Sequence, residues 1–192
     1  MSLPLIILAS ASPRRRELLR LLGRPFQVVA SDAPEVSPEH MTPIESCQMN
    51  AYRKARVVAK KYPDAVVIGA DTEVCLGRKV FGKPASFVAA CGMIRKLQGK
   101  VHQVITGVCL LHLRRHRQAS FAVMTHVKFH RLNRDQREGY LKRINPLDKA
   151  GAYAVQEFGH LIIEQIDGSF TNVVGLPVER LAHELNSFLA QG

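Results

Sequence analysis

Tryptophan is missing from this chain of 192 residues, and aromatic side chains make up only 6% of it. Few of them lie among the basic residues, and no RNP, KH or zinc-finger pattern appears, which disfavours a nucleic-acid-binding module. The four cysteines, Cys47, Cys75, Cys91 and Cys109, form no C-x-x-C pair. That argues against a zinc ribbon or a redox dithiol, so they read as buried thiols in a reducing compartment. No apolar run approaches the roughly 20 residues a membrane helix needs. Leu3 to Ala11 is apolar and ends in small residues, but arginines follow it and no positive residue precedes it, so a first strand fits better than a signal peptide. Gly-x-Ser-x-Gly is absent and no Ser-His-Asp set can be assembled, which argues against nucleophilic acyl chemistry. Internal repeats and low-complexity tracts are absent too.

Acidic residues are scarce beside basic ones, 16 against 27, for a net charge of +11. Such a balance favours anionic partners, either nucleic acid or small phosphorylated molecules, without choosing between them. The basic stretch Arg114-Arg115-His116-Arg117 falls between two strand-like segments and reads as a solvated hairpin tip rather than a nucleic-acid patch. His112 and His116 straddle that turn, so exposure is expected of them rather than metal binding. Nearly half the residues are apolar, enough to bury a core without disulfides or metals. The expectation is a single α/β domain over residues 1–192, with two small domains as the alternative.

Local signals set the expected elements. Ser12 is an N-cap and Pro13 fits the first helical position, so a helix begins at the arginines, buries Leu18, Leu19, Leu21 and Leu22, and stops at Gly23. A short strand spans Phe26 to Val29. Thr42-Pro43-Ile44-Glu45 is a capping box that opens a long helix to about Lys61. Ala65 to Ala70 is a wholly apolar strand running directly into Asp71-Thr72. Helices are expected over Ser86 to Leu97, Asn133 to Arg143, and from near Pro177 to Leu189. His102 to Leu113 and Ala119 to Phe129 should form an antiparallel hairpin, so the sheet is mixed. Ala150 to Val155 and Leu161 to Ile166 read as extended, with a turn at Asp167-Gly168.

Three arginines at the positive end of a helix oppose its dipole. They are either a solvated basic turn or part of an anion site in which Ser10, Ser12, Arg14 and Arg15 join the backbone N–H groups. Asp71, at the end of a buried strand, can ligate Mg²⁺ or take a proton from water, or simply cap the next turn. Glu35 could complete a hard-metal site with it, though its loop by itself says only that it is exposed. Lys83, in Phe81-Gly82-Lys83-Pro84, sits in a turn that can present an ammonium to a phosphate; unaided it is a surface lysine.

Taken in order, Leu8-Ala9-Ser10-Ala11-Ser12-Pro13-Arg14-Arg15, Arg53-Lys54-Ala55, Gly69-Ala70-Asp71-Thr72, Gly82-Lys83-Pro84, Asp148-Lys149-Ala150-Gly151-Ala152-Tyr153-Ala154-Val155-Gln156 and Asn172-Val173-Val174-Gly175-Leu176-Pro177 resemble the Maf nucleotide pyrophosphatases over nearly the whole chain. The resemblance implies a mixed, twisted α/β sheet flanked by helices, with two lobes around a central cleft, similar to ITP pyrophosphatases. It implies a cytoplasmic house-cleaning enzyme that uses Mg²⁺ or Mn²⁺ to cleave nucleoside triphosphates between the α and β phosphates. Asp71 matches the family's proton acceptor, and Arg15, Thr72 and Gln156 match positions tied to substrate choice. Ser10, Arg14, Glu35, Lys54 and Lys83 match the remaining polar lining. The Pro-Arg-Arg, Ala-Asp-Thr and Tyr-x-x-Gln forms resemble the branch acting on dTTP and UTP rather than that acting on 7-methyl-GTP. One amide can satisfy both the N3–H donor and the C4 carbonyl of uracil or thymine, which agrees with Gln156 there. Glu157-Phe158-Gly159 departs from the Gly-Leu-Gly usual in the family. No membrane partner is expected, nucleic acid is a poor candidate on the composition given above, and a homodimer is left open. A 7-methyl-GTP or ITP-type pyrophosphatase, or a non-catalytic nucleic-acid-binding or division regulator, is the alternative.

Overall fold

The computed structural model describes residues 4–36 and 40–190. Leu3, at the edge of the expected first strand, lies outside them. Strands β1 (Ile6–Leu8), β2 (Gln27–Val28), β3 (Val66–Leu76), β4 (Lys79–Phe81), β5 (Val101–His112), β6 (Arg117–Phe129) and β7 (Ile163–Asp167) are interspersed with helices, β3–β4 and β5–β6 following each other directly. The helices are α1 (Pro13–Arg20), α2 (Pro43–Lys61), α3 (Phe87–Leu97), α4 (Arg134–Leu141), α5 (Phe170–Val174) and α6 (Val178–Ala190). The seven-stranded sheet runs β2-β1-β3-β5-β6-β7, with β4 paired to β3. It is mixed: β1 lies parallel to β2 and β3, while β3–β4 and β6–β7 are antiparallel.

The chain forms two compact units, and it passes between them along three of its strands. Unit 1 comprises Met1–Asp71, Thr106–Val123 and Gly175–Gly192; unit 2 comprises Thr72–Ile105 and Met124–Val174. In unit 1, Ile7, Ala9, Val67, Cys109 and Leu111 pack with Ala51, Ala55, Val58 and Ala59 of α2. In unit 2, Val104, Val127, Phe129, Tyr140, Leu141 and Ile162 pack with Ile94 and Leu97 of α3.

The caps form as local chemistry requires. Ser12 accepts from the Arg15 N–H at the start of α1, Ser86 from Ala89, and both Thr42 and Asn133 make full capping boxes. Several expectations need correction. Leu21 is exposed because α1 ends at Arg20 and the chain then turns toward Gly23. Strand β3 does not end at Ala70 but continues to Leu76, where it pairs with β4, so Asp71 lies inside a strand. Ala150 to Val155 is not extended throughout: Ala150–Ala152 is a 3-10 turn in which Gly151 has φ +70°, a left-handed value glycine adopts without strain. Leu161 likewise belongs to a 3-10 turn ahead of β7. His112 is buried, because β5 extends through it and only His116 reaches the exposed turn. The short helix α5 carries no periodic signal long enough to be read from sequence.

The described cysteines are all free; Cys47, Cys75 and Cys109 are buried as expected, whereas Cys91, on α3, is only partly buried. Among the described residues no helix is long and apolar enough to cross a membrane.

Candidate active site

Helix α2 lies unusually close to β3 and β5. A Cβ built on Gly69 would fall 2.1 Å from the Ala51 carbonyl oxygen, and one on Gly107 would fall 2.4 Å from the Cys47 carbonyl carbon. Glycine in the strands and alanine at positions 51 and 55 of the helix permit this approach. Its consequence is chemical: the polar residues on that face of α2 are brought within hydrogen-bond reach of Asp71.

Asp71 is buried and held from two sides. Lys54 Nζ donates to its Oδ1 at 2.6 Å, and Asn50 Nδ2 donates to its Oδ2 at 3.2 Å. Lys54 also donates to Glu35 Oε1 at 2.7 Å, so one ammonium, itself largely buried, joins a buried and an exposed carboxylate. Asn50 fixes the loop that carries Glu35, since its side chain accepts from the Val36 N–H at 3.0 Å and donates to the Val36 carbonyl at 2.9 Å. Sequence reasoning missed Asn50. The signal was present: it lies four positions before Lys54, on the same helix face, among Ser46, Cys47, Ala51 and Ala55.

Arg15, in the first turn of α1, donates from Nε to the Gly175 carbonyl at 2.9 Å. Burial lowers its guanidinium pKa, the negative charges of Asp71 and Glu35 oppose that shift, and neighbouring Arg14 adds to it. Arginine nonetheless stays cationic. The Ser10 and Ser12 pair sits at the same helix start, with the Ser12 N–H donating to Ser10 Oγ at 3.2 Å. Ser10, Ser12, Arg14, Arg15, Glu35, Lys54 and Asp71 all lie in unit 1.

Unit 2 carries Thr72, Lys83 and Gln156. Thr72 follows Asp71 on β3, and Lys83 is exposed in the loop after β4. Gln156 is exposed in a turn that follows Tyr153 and Ala154. Tyr140 bridges both backbone groups of Ala154, donating to its carbonyl and accepting from its N–H, each at 3.0 Å.

The hard oxygen donors Asp71 and Glu35 converge on one cation, Lys54, which is the donor chemistry a divalent Mg²⁺ or Mn²⁺ ion requires. Glu73 adds a buried acid two residues along the same strand, and hence on the same face. Cys47 Sγ also lies within 4.8 Å of an Asp71 carboxylate oxygen, but a soft thiol suits neither ion. The basic hairpin tip has partners within its own unit: Arg114 pairs with Asp64, and Arg117 lies over the Phe188 ring and donates to the Phe188 carbonyl.

A mixed-sheet α/β fold of this kind recurs in the Ham1 protein of Staphylococcus aureus, with a TM-score of 0.56 at 16% identity over 95% of this chain and 98% of that one. A HAM1 protein from Coxiella burnetii gives 0.53 at 14% identity, with the same coverage. At such identity the likeness concerns fold alone. Sequence relatives are nearer: a dTTP/UTP pyrophosphatase of Bacillus velezensis is 44% identical over 95% of this chain and 96% of its own length. That of Clostridioides difficile is 40% identical over 96% of this chain and 95% of its own. The Maf-like protein family model matches residues 5–188, and the chain belongs to the Maf family.

Proposed function

We propose that the protein is a nucleoside triphosphate pyrophosphatase that hydrolyses dTTP and UTP, and modified pyrimidine nucleotides, to the monophosphate and pyrophosphate. The observation that carries this reading is the Lys54 ammonium joining Asp71 to Glu35, two carboxylates whose charges also act on Arg15 in the first turn of α1. It is supported by the activity named for relatives at 40 to 44% identity. Residues 1–192 act as one enzymatic domain on this reading, in the cytoplasm, where they clear unwanted nucleotides. A homodimer is compatible with it.

The substrate carries several negative charges, and Arg14, Arg15, Lys54 and Lys83 are the cations assigned to them, with the Ser10 and Ser12 hydroxyls as further donors. Asp71 accepts a proton from the attacking water, whose oxygen bonds to the α-phosphorus as the bond from that phosphorus to the bridging oxygen breaks. Pyrophosphate leaves with the electron pair. Asn50 and Lys54 orient the Asp71 carboxylate, and each of its oxygens keeps a second lone pair for that proton. Asp71 and Glu35 would hold Mg²⁺ or Mn²⁺, which when bound supplies charge neutralisation and polarisation at the phosphate oxygens. Substrate choice is assigned to Arg15, Thr72 and Gln156, the last through an amide that matches the N3–H and C4 carbonyl of uracil or thymine.

The test is pyrophosphate release from UTP, dTTP, CTP, GTP, ITP and 7-methyl-GTP with Mg²⁺, with Mn²⁺ and with a chelator. Turnover of UTP and dTTP above the others, lost on chelation, is expected. Preference for a purine nucleotide, or no turnover with either metal, would overturn the assignment.

A further inference from the structure

The turn that carries Gln156 is tied down by an ion pair the proposed reaction does not use. Lys149 is buried, with only 4% of its surface exposed, and its ammonium has three oxygen partners, two of them hydrogen-bonded and one held as an ion pair. Nζ meets the Asn145 carbonyl at 2.9 Å, Asp148 Oδ1 at 2.9 Å and Glu157 Oε1 at 3.3 Å. The first two contacts lie within the 3-10 turn beside Lys149. The third reaches out to the residue directly after Gln156.

On either side the same turn is held again. Ala154 is bridged at both backbone groups by the buried Tyr140 hydroxyl. Phe158, with left-handed φ of 56°, lies under the Arg143 guanidinium at 5.6 Å from its ring centroid. A buried ammonium needs its carboxylate partners, so the Lys149 contact constrains Glu157 more than an exposed ion pair would. Gln156 itself stays exposed on a backbone anchored before and after it.

An amide side chain can turn over and present its donor and acceptor in reverse order, so Gln156 separates uracil from cytosine only when its backbone and surroundings are fixed. We infer that Glu157, through Lys149, is a positioning residue that fixes the turn presenting Gln156 to the nucleotide base, and so sharpens the choice of UTP over CTP. This rests on the base-reading role proposed for Gln156.

The experiment compares wild type, Glu157→Ala, Glu157→Gln and Gln156→Glu in steady-state hydrolysis of UTP and CTP, with melting temperatures for each. Glu157→Ala is expected to lower the UTP-over-CTP ratio of kcat/KM by about fivefold, through a raised KM for UTP and with kcat within about twofold. Glu157→Gln keeps an oxygen at the same reach as a weaker, uncharged partner for the ammonium and should recover part of the lost preference. A wild-type ratio in Glu157→Ala, or a Gln variant no better than the Ala variant, would overturn the positioning role. If Gln156→Glu still shifts the ratio in that case, the base-reading role stands. If Gln156→Glu changes both substrates equally, the base-reading role itself fails, and the inference with it.

Discussion

Gly69→Ala tests whether the close approach of α2 assembles the site. The added methyl would sit 2.1 Å from the Ala51 carbonyl oxygen and 2.8 Å from the Ala55 nitrogen, where ordinary contact starts near 3.4 Å. Both obstacles are backbone, so no rotamer change relieves them. Helix and strand must part by roughly 1 Å, a displacement of the size that can cost on the order of 10²-fold when it misplaces a catalytic group. The 2.6 Å Lys54–Asp71 contact would open beyond hydrogen-bond range, and the Asn50 contact with it. Overpacking typically costs about 1–3 kcal/mol. For a chain of this size each kcal/mol lowers Tm by roughly 2–4 °C, so a fall of about 2–12 °C is expected. Gly92→Ala is the matched control: its new Cβ, in α3, meets nothing within 4 Å. It should stabilise by about 0.4–1 kcal/mol through the unfolded chain and leave UTP turnover unchanged. Calorimetry and pyrophosphate release on both variants decide the matter. A Gly69→Ala protein that melts and turns over like wild type would refute the reasoning, because α2 could then withdraw without disturbing Asp71.

Asp71→Asn keeps the shape and an acceptor but neither takes a proton well nor ligates metal well; turnover should drop on the order of 10²- to 10⁴-fold, and near-normal rates would remove Asp71 from the role of base. Lys83→Ala, at an exposed position, should leave Tm nearly unchanged, within about 0.5 kcal/mol of stability, while lowering kcat/KM; unchanged kinetics would return Lys83 to the plain surface. Arg15→Ala should lower Tm as well as kcat/KM, because Arg15 is half-buried and bonds Gly175; a purely kinetic effect would mean that contact contributes nothing to folding. Burial pushes the His102 imidazole down to about 4. The unfolded chain therefore binds the extra proton first, and stability that is complete above pH 6.5 is lost as pH falls toward 4, by about 3 kcal/mol from this group. Tm measured against pH should fall less steeply over that window in His102→Gln than in wild type, and equal slopes would show that His102 does not carry the effect.

What could be read from the chain alone is what neighbouring residues decide between themselves. The caps at Ser12, Thr42, Ser86 and Asn133 form because donor and acceptor are three residues apart, and the apolar run at β1 and early β3 is buried because parallel strands are covered on both faces. The ordered motifs identified the family, and they named Ser10, Arg15, Lys54 and Asp71, which the structure places in one unit. Other features depend on residues distant in sequence. The second half of β3 is strand because β4 returns to pair with it, although its polar Asp71 and Glu73 hide that from hydropathy. Asn50 became a partner of Asp71 only because two glycines let α2 approach the sheet. Lys149 reached Glu157 only because the intervening segment folds as a 3-10 turn instead of the extended run its sequence suggests. A cap is closed within one turn of chain, whereas these contacts exist only once helix, strand and turn have taken their final distances; tertiary packing alone sets those.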